Sequence, residues 1–297
     1  MNSPSTSIFE ASRPSLFRLA YRMLGERGLA EDVVQDCWLR WREADHARIE
    51  KPAAWLTTVA TRLALDALRK AKARRETYIG PWLPEPLLAG SEDTGATLEL
   101  ADELSIALLH MLERLSPEER AALVLREAFD FDYKEIAAIL GRSEVACRKL
   151  VSRAKLHVRS STRARPVSRA EHEALLGKFM SAVALKDAKA LAELFRPDAV
   201  AYTDGGGVVL AARNPIRGRD KIVRFLLGLA AKKSRTGATR AEIGTVNAEP
   251  AIFLYEHERL DTVYAIAIET GTISALFAIR NPHKLHPPAL REANARC

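Results

Sequence analysis

The sequence predicts a multidomain chain, with two all-α modules in the first half and an α+β domain in the second. Three observations predict it. Apolar residues recur at helical spacing through residues 8–75. A helix, tight turn and cationic second helix, YKEIAAILGRSEVACRKLVSRAKLHVR, fill Tyr133 to Arg159. After Pro166 the composition changes, and helices give way to long alternating runs. The predicted boundaries are 1–75, a first helical module; 76–100, a linker; 101–165, a second helical module; and 166–297, the α+β domain. A chain of 297 residues with 47% hydrophobic content can give each module a core. The net charge of +7 suits a polyanionic partner. Cys37, Cys147 and Cys297 have neither metal-ligand nor disulfide spacing, so no metal and no cofactor is expected. The N-terminus lacks a basic-then-apolar signal, and no apolar run approaches membrane-spanning length. A cytoplasmic protein with no membrane partner is expected.

The first helix runs from Ile8 to Leu24 and stops at Gly25. The second spans about Leu29 to Glu43, where AEDVVQDCWLRW turns Val33, Val34, Cys37, Trp38 and Trp41 inward. Glu31, Asp32, Gln35 and Asp36 are left to meet a partner. A polar loop, ADHARIEKP, follows, and Pro52 opens a third helix. That helix is apolar at Trp55, Leu56, Val59, Leu63, Leu65 and Leu68, and its far end is basic at Arg62, Arg69, Lys70, Lys72, Arg74 and Arg75. A helix C-terminus favours cations anyway, so the basic end alone is weak evidence for nucleic acid. Trp55 could stack on a base, but its apolar face favours core packing.

Prolines and glycines in YIGPWLPEPLLAGSEDTGAT rule out a continuous helix over the linker. Trp82, Leu83 and Leu87 are apolar residues in a proline-stiffened strand, which predicts a docking site on the protein's own domains. Leu104, Ala107, Leu108, Met111, Leu112 and Leu115 then repeat at 3.6-residue spacing. SPEE, from Ser116, is a capping box with proline at the first helical position. In the helix pair that follows, Ala137, Gly141, Cys147 and Leu150 fall where a helix-turn-helix needs a small residue, a turn and core contacts. Ser143 caps the second helix. Arg142, Glu144, Arg148, Lys149 and Arg153 face outward, as on a helix that enters a major groove. Arg159, Arg163 and Arg165 carry the charge into a second linker, SSTRARP.

In the last section, helices are expected from about Ser168 to Leu185, Asp187 to Phe195 and Asp220 to Lys232. DAVAYTDGGGVVLA alternates like two strands around a glycine turn. TRAEIGTVNA, AIFLYEH and DTVYAIAIETGTISALFAI close the chain as β runs. Helices on one side of a curved antiparallel sheet would form an α+β cone. Asp198, Asp204, His172, His257 and Glu269 are acid/base groups available there, but no spacing among them demands proton transfer, so no catalysis is expected.

The order of AYRMLG, AEDVVQDCWLRW and PAAWLTTVATRLALDALRKAKARR resembles region 2 of bacterial σ factors of the extracytoplasmic-function group. LSPEERAALVLREAFDFDYKEIAAILGRSEVACRKLVSRAKLHVR resembles their region 4. The resemblance implies a σ factor that binds RNA polymerase core, recognises −10 and −35 promoter elements and initiates transcription. Glu31, Asp32, Gln35 and Asp36 correspond to positions that dock on the β′ clamp helices, and region 4 implies contact with the β flap. The −10 set is His46, Arg48, Lys51, Arg62, Asp66, Arg69 and Lys70, with Arg62 standing where the group often has Asn. The −35 set is Ser143, Glu144, Arg148 and Lys149, with Arg142 and Arg153 as phosphate anchors.

The C-terminal section is similar to the SnoaL-like domain of the nuclear-transport-factor-2-like fold. WLPEPL (Trp82, Leu83, Pro84, Glu85, Pro86, Leu87), DGGG (Asp204, Gly205, Gly206, Gly207) and NPHKL (Asn281, Pro282, Lys284, Leu285) resemble signatures of the σ subgroup with a fused SnoaL-like domain. That subgroup usually has Asp where His283 stands. The subgroup implies regulation in cis by the C-terminal domain, and the cone leaves room for a small-molecule ligand. The alternative is a helix-turn-helix regulator fused to a small-molecule-binding or isomerase/cyclase-like domain.

Overall fold

The computed structural model describes residues 4–88, 104–159, 167–236 and 239–285. The whole of the second linker, Arg163 and Arg165 included, lies outside the described residues, as does the side chain of Arg159. The chain divides into two compact units, residues 1–77 with 108–162 and residues 78–107 with 163–297.

The first unit is helical. α1 (Pro4–Leu24) begins earlier than the apolar spacing predicts, with a proline at its first position. It ends at Gly25, whose φ of +66° only glycine takes without strain. α2 (Arg27–Glu43) buries Ala30, Val33, Val34, Cys37 and Trp41. α3 (Pro52–Arg75) packs on both, chiefly through Ala60, Ala64 and Ala71 beside Leu56, Leu65 and Leu68. Val59 and Leu63, expected in the core, are only half-buried because the alanine face allows the closest helix approach. α4 (Ile106–Leu112) is shorter than its periodicity suggests. Leu115 lies outside it, directly before the extended Ser116, and Leu104 precedes it. α5 (Pro117–Ala128) carries the capping box of Ser116 and Glu119. α6 (Tyr133–Leu140) has a second capping box from Asp132 and Glu135. α7 (Glu144–Arg159) completes the helix-turn-helix.

The second unit places three helices against one sheet: α8 (Arg169–Ala184), α9 (Ala188–Leu194) and α10 (Arg219–Thr236). Its strands are β1 (Phe195–Asp204), β2 (Ile216–Arg217), β3 (Thr239–Val246), β4 (Glu249–Glu256), β5 (Arg259–Glu269) and β6 (Thr272–Ile279), in the order β2-β1-β6-β5-β4-β3. The sheet is mixed rather than wholly antiparallel, because β1 runs parallel to its neighbour β6. The second strand expected after the glycine turn does not form. Thr203 Oγ1 bonds both the amide and the carbonyl of Ala212 and folds that segment back as a loop, so β1 instead pairs with β2. One sheet face packs on the helices through Leu176, Phe179, Ile222, Ile252, Ile266 and Leu276. The opposite face holds Phe253, Val263, Phe277 and Ile279 together with Leu83 and Leu88 of the first linker and Ile106 of α4.

Candidate nucleic-acid interface and linker dock

In the helix-turn-helix, α6 ends at Gly141 in the left-handed conformation (φ +63°, ψ 40°). Ser143 Oγ accepts the Ala146 amide at 3.2 Å and caps α7. Ile136, Ala137, Ile139, Cys147, Leu150 and Val151 are buried between the helices. Arg142, Ser143, Glu144, Arg148, Lys149 and Arg153 are exposed. The Arg148 guanidinium lies 4.3 Å from the Tyr133 ring centroid and 3.8 Å from Glu144, which holds it over the start of α7. Arg153 pairs with Glu119 at 3.2 Å.

On α2, Glu31, Asp32, Gln35 and Asp36 form an exposed row opposite the buried face. Cys37 on that buried face donates to the Leu56 carbonyl, and burial pushes its thiol up to about 12. In the following loop, His46–Arg48 form a 3-10 turn capped by Asp45. The His46 ring lies 4.3 Å from Trp41, which in turn packs 5.5 Å from Trp55. Arg48 and Lys51 are exposed.

Four of the cations on α3 reach the helix-turn-helix module. Arg62 donates from Nε to the Ile139 carbonyl and from Nη2 to the Ala138 carbonyl, both at 3.2 Å. These are end carbonyls of α6, which favour a cation. Arg69 bridges Asp66 (3.1 Å) and Glu118 (2.8 Å). Lys72 donates to the Leu115 carbonyl. Further along, Glu113 lies between Arg75 and Arg120, and Arg120 Nη1 also donates to the Met23 carbonyl at 2.7 Å. Arg75 additionally holds Glu26 at 2.7 Å. Burial alone would raise the Glu113 carboxyl, but Arg120 and Arg75 overcome it and hold it below the usual carboxylate range.

In the second unit, Asp204 at the end of β1 is fully buried and gathers the three short motifs. Its carboxylate accepts the Leu83 amide at 2.9 Å, the Gly206 amide at 3.0 Å and the Tyr78 hydroxyl. It pairs with Lys284 Nζ at 2.8 Å. Lys284 also donates to the Leu83 carbonyl and sits 4.2 Å from the Trp82 ring centroid. Asn281 Nδ2 donates to the Tyr78 hydroxyl at 2.9 Å. Gly206 has a φ of +64°, and a Cβ there would stand 2.5 Å from the Asn281 amide, so only glycine fits. Leu83, Leu87 and Leu88 are 0%, 6% and 7% exposed.

A second anchor lies at the β3–β4 turn. Asn247 Oδ1 accepts the Leu87 amide at 2.9 Å, its own amide donates to the Leu87 carbonyl at 3.0 Å, and Nδ2 donates to the Leu104 carbonyl at 2.8 Å. One side chain therefore holds both ends of the segment between Leu87 and Leu104.

The acid/base candidates are not gathered in this way. Asp198 and Glu269 both pair with Arg196, Asp204 pairs with Lys284, His257 lies in the β4–β5 turn, and His172 is buried in α8. Among the described residues no group of His, Cys, Asp and Glu could hold a metal, and no helix is long and apolar enough to cross a membrane.

The chain matches the sigma-70 region 2 model over residues 8–74 and the sigma-70 region 4 model over residues 105–158. It is 38% identical to the ECF RNA polymerase sigma factor SigJ of Mycobacterium tuberculosis, over 98% of this chain and 96% of that protein. The chain belongs to the ECF RNA polymerase sigma factors. It is also 32% identical to the probable ECF RNA polymerase sigma factor SigI of the same species, over 96% of each chain. The crystal structure of Mycobacterium tuberculosis SigJ matches with a TM-score of 0.76 at 36% identity, covering 94% of this chain and 97% of that one.

As an ECF sigma factor the protein initiates transcription with RNA polymerase and is not an enzyme. RNA polymerase core and promoter DNA are its partners. Its C-terminal unit is a SnoaL-like domain. Several residues that organise this sigma factor carried no sequence signal of their role. Asn247 falls at the end of the run TRAEIGTVNA read as a strand, whereas its positive φ of +50° places it in the turn after β3. Tyr78 precedes the recognised linker motif. Glu113 and Arg120 lie within helical periodicity, and only their burial as a charged pair distinguishes them.

Proposed function

We propose that the free sigma factor is held promoter-incompetent in cis and that polymerase core releases it. In this reading Glu31, Asp32, Gln35 and Asp36 dock on the β′ clamp helices, and region 4 reaches the β flap. His46, Arg48, Lys51, Arg62, Asp66, Arg69 and Lys70 bind the −10 strand. Ser143, Glu144, Arg148 and Lys149 read the −35 element, with Arg142 and Arg153 on phosphates. Arg62 and Arg69 cannot serve the −10 strand while they are engaged with Ala138, Ile139 and Glu118.

The observation that carries the proposal is Asn247. Fully extended, the 27 residues from Tyr78 to Leu104 would reach about 90 Å. With Leu87 and Leu104 both bonded to one side chain, the residues between them add nothing to that reach. The docked linker is thus a short tether between the −10 and −35 modules. Asn247→Gly keeps the positive φ and removes the amide group. Losing its buried hydrogen bonds weakens docking by about 2 kcal/mol, or ~30-fold in the docked population. At limiting core polymerase, run-off transcription by this variant should rise several-fold over the native chain. Equal transcript yield at every core concentration would remove the proposal.

A further inference from the structure

The helix-covered face of the sheet holds an open-sided cavity of about 550 Å³, the size of an ordinary small-molecule site. Its walls are apolar, with Phe179 from α8, Leu226 from α10, and Ile252 and Leu254 from β4. Lys186, just past the end of α8, is the one charged residue among the described residues that line it. No carboxylate pairs with Lys186 among the described residues. An apolar body with a single acidic head fits this arrangement of walls and charge.

The same strands carry the linker on their other side. Along β4, Ile252 and Leu254 face the cavity, while Ala251 and Phe253 face the cluster that holds Leu83 and Leu88. Along β5, Tyr264 lines the cavity, and Val263 and Ala265 pack toward the linker. Side chains alternate across a strand, so whatever fills the cavity bears on the backbone that seats the linker. We propose that the cavity binds an apolar monocarboxylate, its acid group at Lys186, and that occupancy alters linker docking. The second half of this statement rests on the linker being regulatory.

The probe is dodecanoate, titrated into the full-length protein by calorimetry, with dodecanol as the uncharged control. Saturable one-to-one binding with Kd of ~10–100 µM is expected. Ala184 is exposed at the cavity lining, so Ala184→Phe should block entry and weaken binding at least ~10-fold while thermal unfolding stays unchanged. Lys186→Ala should weaken dodecanoate ~10-fold and leave dodecanol unaffected. This second variant still decides the matter if Ala184→Phe does not fold. Absence of saturation up to ~1 mM, or equal dodecanoate affinity in the Lys186→Ala chain, overturns the site. Binding that emerges only after removal of residues 286–297 would assign the cavity to that segment and also overturn it. The binding arm does not depend on the proposed regulation. In the coupling arm, amide exchange across residues 78–88 should change at saturating dodecanoate. Unchanged exchange with binding intact refutes the coupling and leaves promoter-incompetence to be judged by the Asn247→Gly experiment.

Discussion

Lys284 remains a buried cation because acceptors surround it. Asp204 and the Leu83 carbonyl accept hydrogen bonds from its ammonium, and the rings of Trp82 and Tyr78 flank it. Such an arrangement contributes orientation more than net stability, since removing one buried partner leaves the other exposed to the full desolvation penalty. NPHKL and DGGG were legible in the sequence as short signatures. Their convergence on one carboxylate was not, because 80 residues separate Asp204 from Lys284 and no periodicity connects them. Glu249 illustrates the opposite case. Among the described residues no hydrogen bond or ion pair reaches its carboxyl, which burial pushes up to about 7. An acid whose pKa is raised on folding contributes full stability below its unfolded value of 4.5, and that stability declines as pH rises toward 7. The loss is on the order of 3 kcal/mol. Glu249→Gln should therefore flatten the pH dependence of the C-terminal unit's unfolding midpoint between about pH 4.5 and 7.5, as followed by chemical denaturation. An unchanged slope would show that the carboxyl is solvated.

At the scale of elements, the helices were legible because caps and apolar spacing agree locally. Ser116, Asp132 and Ser168 each form complete capping boxes. The sheet was less legible. The β3 and β4 runs alternate as expected, but the single run DTVYAIAIETGTISALFAI breaks at Thr270 and Gly271, both with positive φ, into the β5–β6 hairpin, and the parallel β1–β6 pair joins strands distant in the chain. The second strand after the glycine turn failed because the Thr203 hydroxyl, a side-chain competitor, took the Ala212 backbone groups. Packing between region 2 and region 4 was not legible either, since a basic helix end reads equally as a solvated face. The Glu113 pairing with Arg75 and Arg120 holds α3 and α5 together. Glu113→Gln leaves two buried guanidinium groups without their shared carboxylate and should cost about 3 kcal/mol. Native-state amide exchange in α3 and α5 should accelerate accordingly. Exchange matching the native chain would mean that apolar packing alone holds these helices.

For the whole molecule, the relevant quantity is how far the two promoter-reading modules can separate. The apolar residues of the linker motif predicted a docked segment, and the structure seats Leu83, Leu87 and Leu88 in buried positions. Each such leucine contributes roughly 1.5–3 kcal/mol when fully buried, so under the proposed mechanism core polymerase must supply comparable binding energy to free the linker. The most direct test is the distance between spin labels on Glu43→Cys and Leu156→Cys in a Cys297→Ser chain, where Cys37 and Cys147 are buried and unreactive. A single short distance is predicted for the free protein, with a longer population appearing on core binding and in the Asn247→Gly variant without core. One unchanged short distance in both the variant and the holoenzyme would contradict the tether mechanism.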